Sequence, residues 1–156
     1  MSARTQIPVI DFGPFRVGSS DEKRRVAREI GQACREIGFF TITGHGVALD
    51  LIEAVFQANR DFHGLPAHRK EEILITKSAN HRGYHPFAAE ATDPSSRPDL
   101  KEAFDMALEL PLDDPDVLAG KPLHGPNAWP RDMPGFRATL MDYYEALVHL
   151  GETLCR

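Results

Sequence analysis

Gly38-Phe39-Phe40-Thr41-Ile42-Thr43-Gly44-His45-Gly46-Val47 is the stretch that decides the fold. The aromatic and β-branched side chains from Phe39 to Thr43 suit a pleated, half-buried strand, and Gly44-His45-Gly46 supplies a tight turn behind it. Gly38 in front is the kind of residue that ends a helix. That helix is easy to find. Ser19 with Glu22 three residues later makes a capping-box pattern, and Val26, Ile30, Ala33, Cys34 and Ile37 then recur on one helical face. Further back, Ile7 to Asp11 reads as a short strand closed by Gly13-Pro14.

Downstream of the turn, Asp50 with Glu53 suggests another helix cap. Ile52, Val55, Phe56, Asn59 and Phe62 continue at helical spacing until Gly64-Leu65-Pro66 breaks the pattern. Pro66 suits the start of a short helix, whose His68-Arg69-Lys70-Glu71-Glu72 reads as a solvated face of alternating charge. From about Ser78 to Asp132, prolines at 86, 94, 98, 111, 115, 122, 126 and 130 predict long ordered loops, with a single candidate element at Leu100 to Leu108. The final segment is the clearest helix, about residues 134–156. Phe136, Leu140, Tyr143, Tyr144, Leu147, Gly151 and Leu154 form its apolar stripe, and no Gly or Asn cap follows Leu154.

Bulk composition narrows the function classes. At 156 residues with 42% hydrophobic content the chain suits one domain with a core. Its net charge of −5 and the lack of a basic stripe interleaved with aromatics argue against nucleic acid as a partner. No run approaches the ~18 apolar residues of a membrane span, and Met1-Ser2-Ala3-Arg4-Thr5-Gln6 lacks the apolar segment of a signal peptide, so a cytoplasmic protein is expected. Cys34 and Cys155 are too few for a disulfide framework. Cys34 is read as a small buried hydrophobe on its helix.

Three later motifs complete the pattern: Arg82-Gly83-Tyr84, Lys101-Glu102-Ala103-Phe104-Asp105 and His124-Gly125-Pro126-Asn127-Ala128-Trp129-Pro130. Together with Ile7-Pro8-Val9-Ile10-Asp11-Phe12, the stretch from Ala33 to Val47 and Phe62-His63-Gly64-Leu65-Pro66 with Lys70 following, they occur in an order that resembles the N-terminal region of isopenicillin N synthase-like iron(II)/2-oxoglutarate-dependent oxygenases. The resemblance covers nearly the whole chain. It implies an α+β module that packs on and extends a double-stranded β-helix, the jelly roll that would carry catalysis outside these residues. Residues 1–156 would be this N-terminal domain, ending inside the last helix. The complete enzyme would use iron(II) and 2-oxoglutarate to oxidise a small molecule by hydroxylation, desaturation or cyclisation. By the same resemblance, the Arg-x-Tyr segment borders the substrate pocket. Arg82 and Tyr84 are therefore candidate substrate-binding residues, a guanidinium beside a phenol suiting an oxygen-rich anion; the competing reading is a loop anchor.

The family's iron site is built from a His-x-Asp pair, a distant second His and an Arg-x-Ser that grips 2-oxoglutarate, since two imidazoles and a carboxylate on one face leave positions open. The residues two places after the seven histidines are Val47, Leu65, Lys70, Gly83, Phe87, Pro126 and Gly151. None is acidic. The chain is accordingly expected to supply no catalytic residue, no metal ligand and no cofactor contact, and to be inactive without a C-terminal catalytic domain on the same or a separate chain. A regulatory or binding module that kept the scaffold is the alternative. His81 and His85 would share a helical face, but Gly83 and Pro86 oppose a helix there. His45, between glycines, is read as a turn-fixing hydrogen-bond partner, Glu102 and Asp105 as salt-bridging or capping acids, and Trp129 as an aromatic pinning its loop to the core.

Overall fold

The computed structural model describes residues 6–91 and 97–156. Two expectations, those resting on Met1–Thr5 and on Pro94, lie outside the described residues. The chain forms two compact units, one of residues 1–49 with 145–156 and one of residues 50–144.

In the first unit, strand β1 (Val9–Asp11) lies parallel to β2 (Thr41–Thr43), with Ile10 opposite Ile42. Between them run a short helix α1 (Gly13–Val17) and the long α2 (Ser20–Glu36). Both signals for α2 hold. The Ser19 hydroxyl accepts from the Glu22 amide while the Glu22 carboxylate takes the Ser19 N–H at 2.8 Å, a reciprocal cap that satisfies two otherwise orphaned donors. At the other end, Gly38 adopts φ +83° and its N–H reaches Ala33 O. Ile10, Phe12, Val26 and Ala33 form the buried core of this unit, with Ile30, Phe40, Ile42, Leu150 and Leu154 against it. Cys34 is not part of it. The thiol is exposed; one residue on from Ala33 is a turn of about 100° around the helix, enough to carry the side chain off the buried stripe.

The second unit holds most of α3 (Leu49–His63), the short α4 (Ala67–Lys70), strands β3 (Gly83–His85) and β4 (Ala103–Asp105), α5 (Pro115–Leu118) and the first half of α6 (Pro134–Leu154). Helix α3 begins one residue before Asp50, so Asp50 sits in its first turn rather than capping it. Phe56 is 64% exposed, and Phe62 is the fully buried member of the expected face. Two 3-10 turns at Glu71–Ile73 and Ile75–Lys77 precede the proline-rich stretch, which itself contains more structure than its composition predicts: β3 and α5 accompany β4, the last falling within the candidate element at Leu100 to Leu108. Strands β3 and β4 pair antiparallel, Tyr84 opposite Phe104. Around them Phe62, Tyr84, Phe136 and Leu140 are buried, packed by Phe104, Trp129 and Met106. The rings of Phe62, Phe104 and Phe136 meet one another at 5.1–5.3 Å, the edge-to-face and offset geometry that adds specificity to apolar burial.

Candidate functional site

The β3–β4 hairpin gathers most of the chemistry-bearing side chains of the second unit. Gly83 opens β3 at φ +115°, and a Cβ there would lie 2.2 Å from Ile73 O. Only glycine permits this approach. It brings β3 beside the 3-10 turns, where Tyr84 forms a parallel bridge with Leu74.

Tyr84 is 4% exposed, and its hydroxyl donates to Glu102 Oε2 at 2.5 Å. Lys70 Nζ donates to the same oxygen at 2.7 Å and to His63 O at 3.0 Å, with its charge 5.2 Å from the Tyr84 ring centre. His63 Nδ1 lies 3.3 Å from Glu102 Oε1 without hydrogen-bond geometry. Lys70 is 7% exposed, which replaces the expectation of a solvated charged face. Its neighbours fit that expectation better, since Arg69 pairs with both Glu72 and Asp132 at the surface. A buried ammonium needs a carboxylate and hydrogen bonds to offset its desolvation, and Glu102, 32 residues away, provides them.

The titration of the cluster follows from this packing. Burial acts most strongly on Glu102 and would raise its pKa, but the hydrogen bonds from Lys70 and Tyr84 and the Lys70 charge outweigh it and hold the carboxyl below its ordinary value. Burial likewise works to lower Lys70, and its hydrogen bond and ion pair with Glu102 win, raising it. Tyr84 is raised, first by burial and then by its bond to the carboxylate. The phenol is thus kept protonated and the other two kept charged.

Arg82 immediately precedes β3 and is also 7% exposed. Its NH1 donates to Asn80 O (2.8 Å) and His81 O (3.0 Å), its NH2 to Leu123 O (2.7 Å), and Nε is buried without a partner. His81 and Leu123 are both non-glycine residues in the left-handed region, at φ +61° and +64°. The guanidinium thus captures the carbonyls of two strained residues, holding conformations that would otherwise cost on the order of 1–3 kcal/mol each. Asn80 reinforces the arrangement by donating to Pro126 O at 2.9 Å while accepting from Ser78 Oγ.

Beside this anchor, His85 Nε2 lies 3.0 Å from Asp105 Oδ2 across the hairpin, and the His81 and His85 rings stand 6.0 Å apart, edge to face, without any helix. Further motif residues bond within the protein. Asn127 bonds both the N–H and the C=O of Ala107, and Trp129 packs on Phe104 and Phe136 while donating to Glu109 at 2.7 Å. His45 Nδ1 accepts from Val47 N–H at 3.1 Å, as a turn-fixing residue should. Among the described residues, no three of His, Cys, Asp and Glu are grouped so as to hold a metal ion. This donor set does not fit the iron of an oxygenase, which needs two imidazoles and a carboxylate together.

Residues 7–132 match the family model described as the non-haem dioxygenase in morphine synthesis N-terminal region. The chain belongs to this dioxygenase family. A 2-oxoglutarate-dependent dioxygenase of Aspergillus niger, caaD, is 36% identical over 151 residues, covering 95% of this chain and 45% of that protein. A full-length Neurospora crassa protein, solved in complex with alpha-KG and thymine, superposes with a TM-score of 0.73 at 29% identity, over 93% of this chain and 45% of the other. A Caulobacter crescentus protein described as a putative 2OG-Fe(II) oxygenase shares the fold, with a TM-score of 0.77 at 24% identity over 97% of this chain and 47% of the other. The chain thus spans less than half the length of the curated relatives it matches. No helix among the described residues of this dioxygenase-family chain is long and apolar enough to cross a membrane.

Proposed function

We propose that this chain is the N-terminal scaffold and substrate-pocket module of an iron(II)/2-oxoglutarate-dependent oxygenase that oxidises a small molecule. The observation that carries this reading is the match of 95% of the chain to 45% of a 2-oxoglutarate-dependent dioxygenase. Iron(II) and 2-oxoglutarate would then be held by a C-terminal jelly roll corresponding to the rest of the relatives' length. The module's own contribution is positional. Arg82 and Tyr84 would form one wall of the substrate pocket by fixing the β3–β4 hairpin and the loop at Leu123, because the guanidinium and the phenol already bond within the protein. Lys70 and Glu102 would keep that wall rigid.

The test is 2-oxoglutarate turnover, measured as succinate release in the presence of iron(II), for residues 1–156 alone and for the protein extended by the C-terminal half its relatives possess. Turnover by the extended protein only supports the module. Absence of turnover from both, with iron bound by the extended one, would favour a regulatory module that kept the scaffold.

A further inference from the structure

A concave surface lies in the first unit, formed by residues that take no part in the hairpin network. It is a cleft of about 620 Å³ whose wall carries Arg16, Lys23, Arg24, Arg156 and His149 and, among the described residues, no acidic side chain. The protein as a whole carries a net charge of −5, so this cleft concentrates positive charge against the average of the molecule. Helical periodicity builds it. Lys23 and Ala27 are four apart on α2, and His149, Thr153 and Arg156 follow one another at steps of four and three along and just beyond α6.

Arg16 distinguishes the cleft from a chance cluster of surface lysines and arginines. Its NH1 donates to Gly44 O at 3.2 Å, and a Cβ on Gly46, which sits at φ +81°, would meet its guanidinium carbon at 2.1 Å. The glycine turn therefore seats this guanidinium in a fixed position, so little side-chain entropy is lost when it meets an anion. Of the other cations, Arg24 pairs with Asp21, and Lys23 and Arg156 have no acidic partner among the described residues. The floor is apolar. Phe15 is stacked on Phe12 at 5.1 Å, and Val17 is 87% exposed. An exposed valine beside a ring, under a rim of cations, is suited to a ligand with an apolar body and an anionic group.

We infer that this cleft binds a small phosphate monoester, its phosphate held by Arg16, Lys23 and Arg24 and its aromatic or aliphatic body resting on Phe15 and Val17. Cations that meet a phosphate in this way give a salt-dependent attraction, and the apolar floor adds a part that salt does not screen.

Calorimetric titration of the 156-residue protein with phenyl phosphate, with inorganic phosphate in parallel, tests this. Phenyl phosphate should saturate a single site and bind at least about ten-fold tighter than inorganic phosphate. Lys23→Gln combined with Arg24→Gln should weaken phenyl phosphate about ten-fold, while Arg28→Gln, which removes a charge from the same helix outside the cleft, should change it less than about two-fold. Each variant's melting curve verifies that it folds. Val17→Asp is a second probe; it leaves the cations in place and should also abolish the preference for phenyl phosphate. Binding that does not saturate, an equal loss from Arg28→Gln, or equal affinity for the two phosphates would each overturn the inference.

Discussion

Lys70 Nζ lies 2.7 Å from Glu102 Oε2, joining α4 to the residue that precedes β4 by an ion pair whose lysine side chain is 8% exposed. Removing either partner leaves the other without compensation in a poorly solvated place. Glu102→Ala is expected to destabilise the protein by roughly 3–5 kcal/mol, because it strands a buried ammonium and takes the acceptor from Tyr84. Glu102→Gln should cost less, since the amide oxygen can still accept from the phenol. Urea unfolding of the two variants checks the order; equal losses would show that the hydrogen bond to the phenol contributes nothing beyond the charge.

The same pair sets a pH dependence. Glu102 titrates below its ordinary value of 4.5 in the folded protein, so its contribution is fully present above that value and is lost as pH falls through the lower, folded one. Lys70 titrates above 10.5, so its contribution is complete below that value and is lost as pH rises through the folded one. The stability gap between wild type and Glu102→Gln should therefore be flat between those limits and close at strongly acidic pH. A gap that widens on acidification would contradict the assignment.

Arg82→Ala releases three carbonyls, two of them on left-handed residues. With each hydrogen bond to a charged group worth about 1.5–3 kcal/mol, a loss of at least ~3 kcal/mol is expected, and Arg82→Lys, which lacks the planar fork, should recover little of it. In the extended enzyme, kcat/KM for the small-molecule substrate should fall about ten-fold, ~1.4 kcal/mol, with 2-oxoglutarate binding unchanged. Wild-type kinetics with lowered thermal stability would restrict Arg82 to anchoring its loop.

Gly83→Ala should be among the most damaging small substitutions. The added methyl would meet the Ile73 carbonyl at 2.2 Å with φ held at +115°. Loss of cooperative unfolding, or a drop of several kcal/mol in stability, is the expected result. A variant within about 0.5 kcal/mol of wild type would mean that β3 can shift freely.

How far the sequence could be read depended on the range of each interaction. The Ser19–Glu22 cap, the Gly44-His45-Gly46 turn and the Phe136–Leu140 stripe involve residues within a few positions of one another, and local rules find them. Strands β3 and β4 have three residues each, too short for alternation to register, and β3 starts on Gly83 and is followed by Pro86, residues that usually mark breaks. Lys70 looked solvated because its own segment alternates in sign; the partner that buries it is 32 positions on. Glu102 was legible as a salt-bridging acid, but its partner was not. Cys34 and Phe56 fell on apolar faces by period, yet burial depends on what packs opposite, and period alone carries no information about that. The Arg82 cage needed the backbone angles of His81 and Leu123, which neither residue type signals.

Anaerobic calorimetric titration with iron(II) tests most directly whether these residues support an iron enzyme without forming its metal site. The 156-residue protein should show only weak, non-stoichiometric binding, whereas the protein extended by the C-terminal half of its relatives should bind one equivalent tightly. A stoichiometric, sub-micromolar site on residues 1–156 that disappears in His81→Ala or His85→Ala would contradict the account.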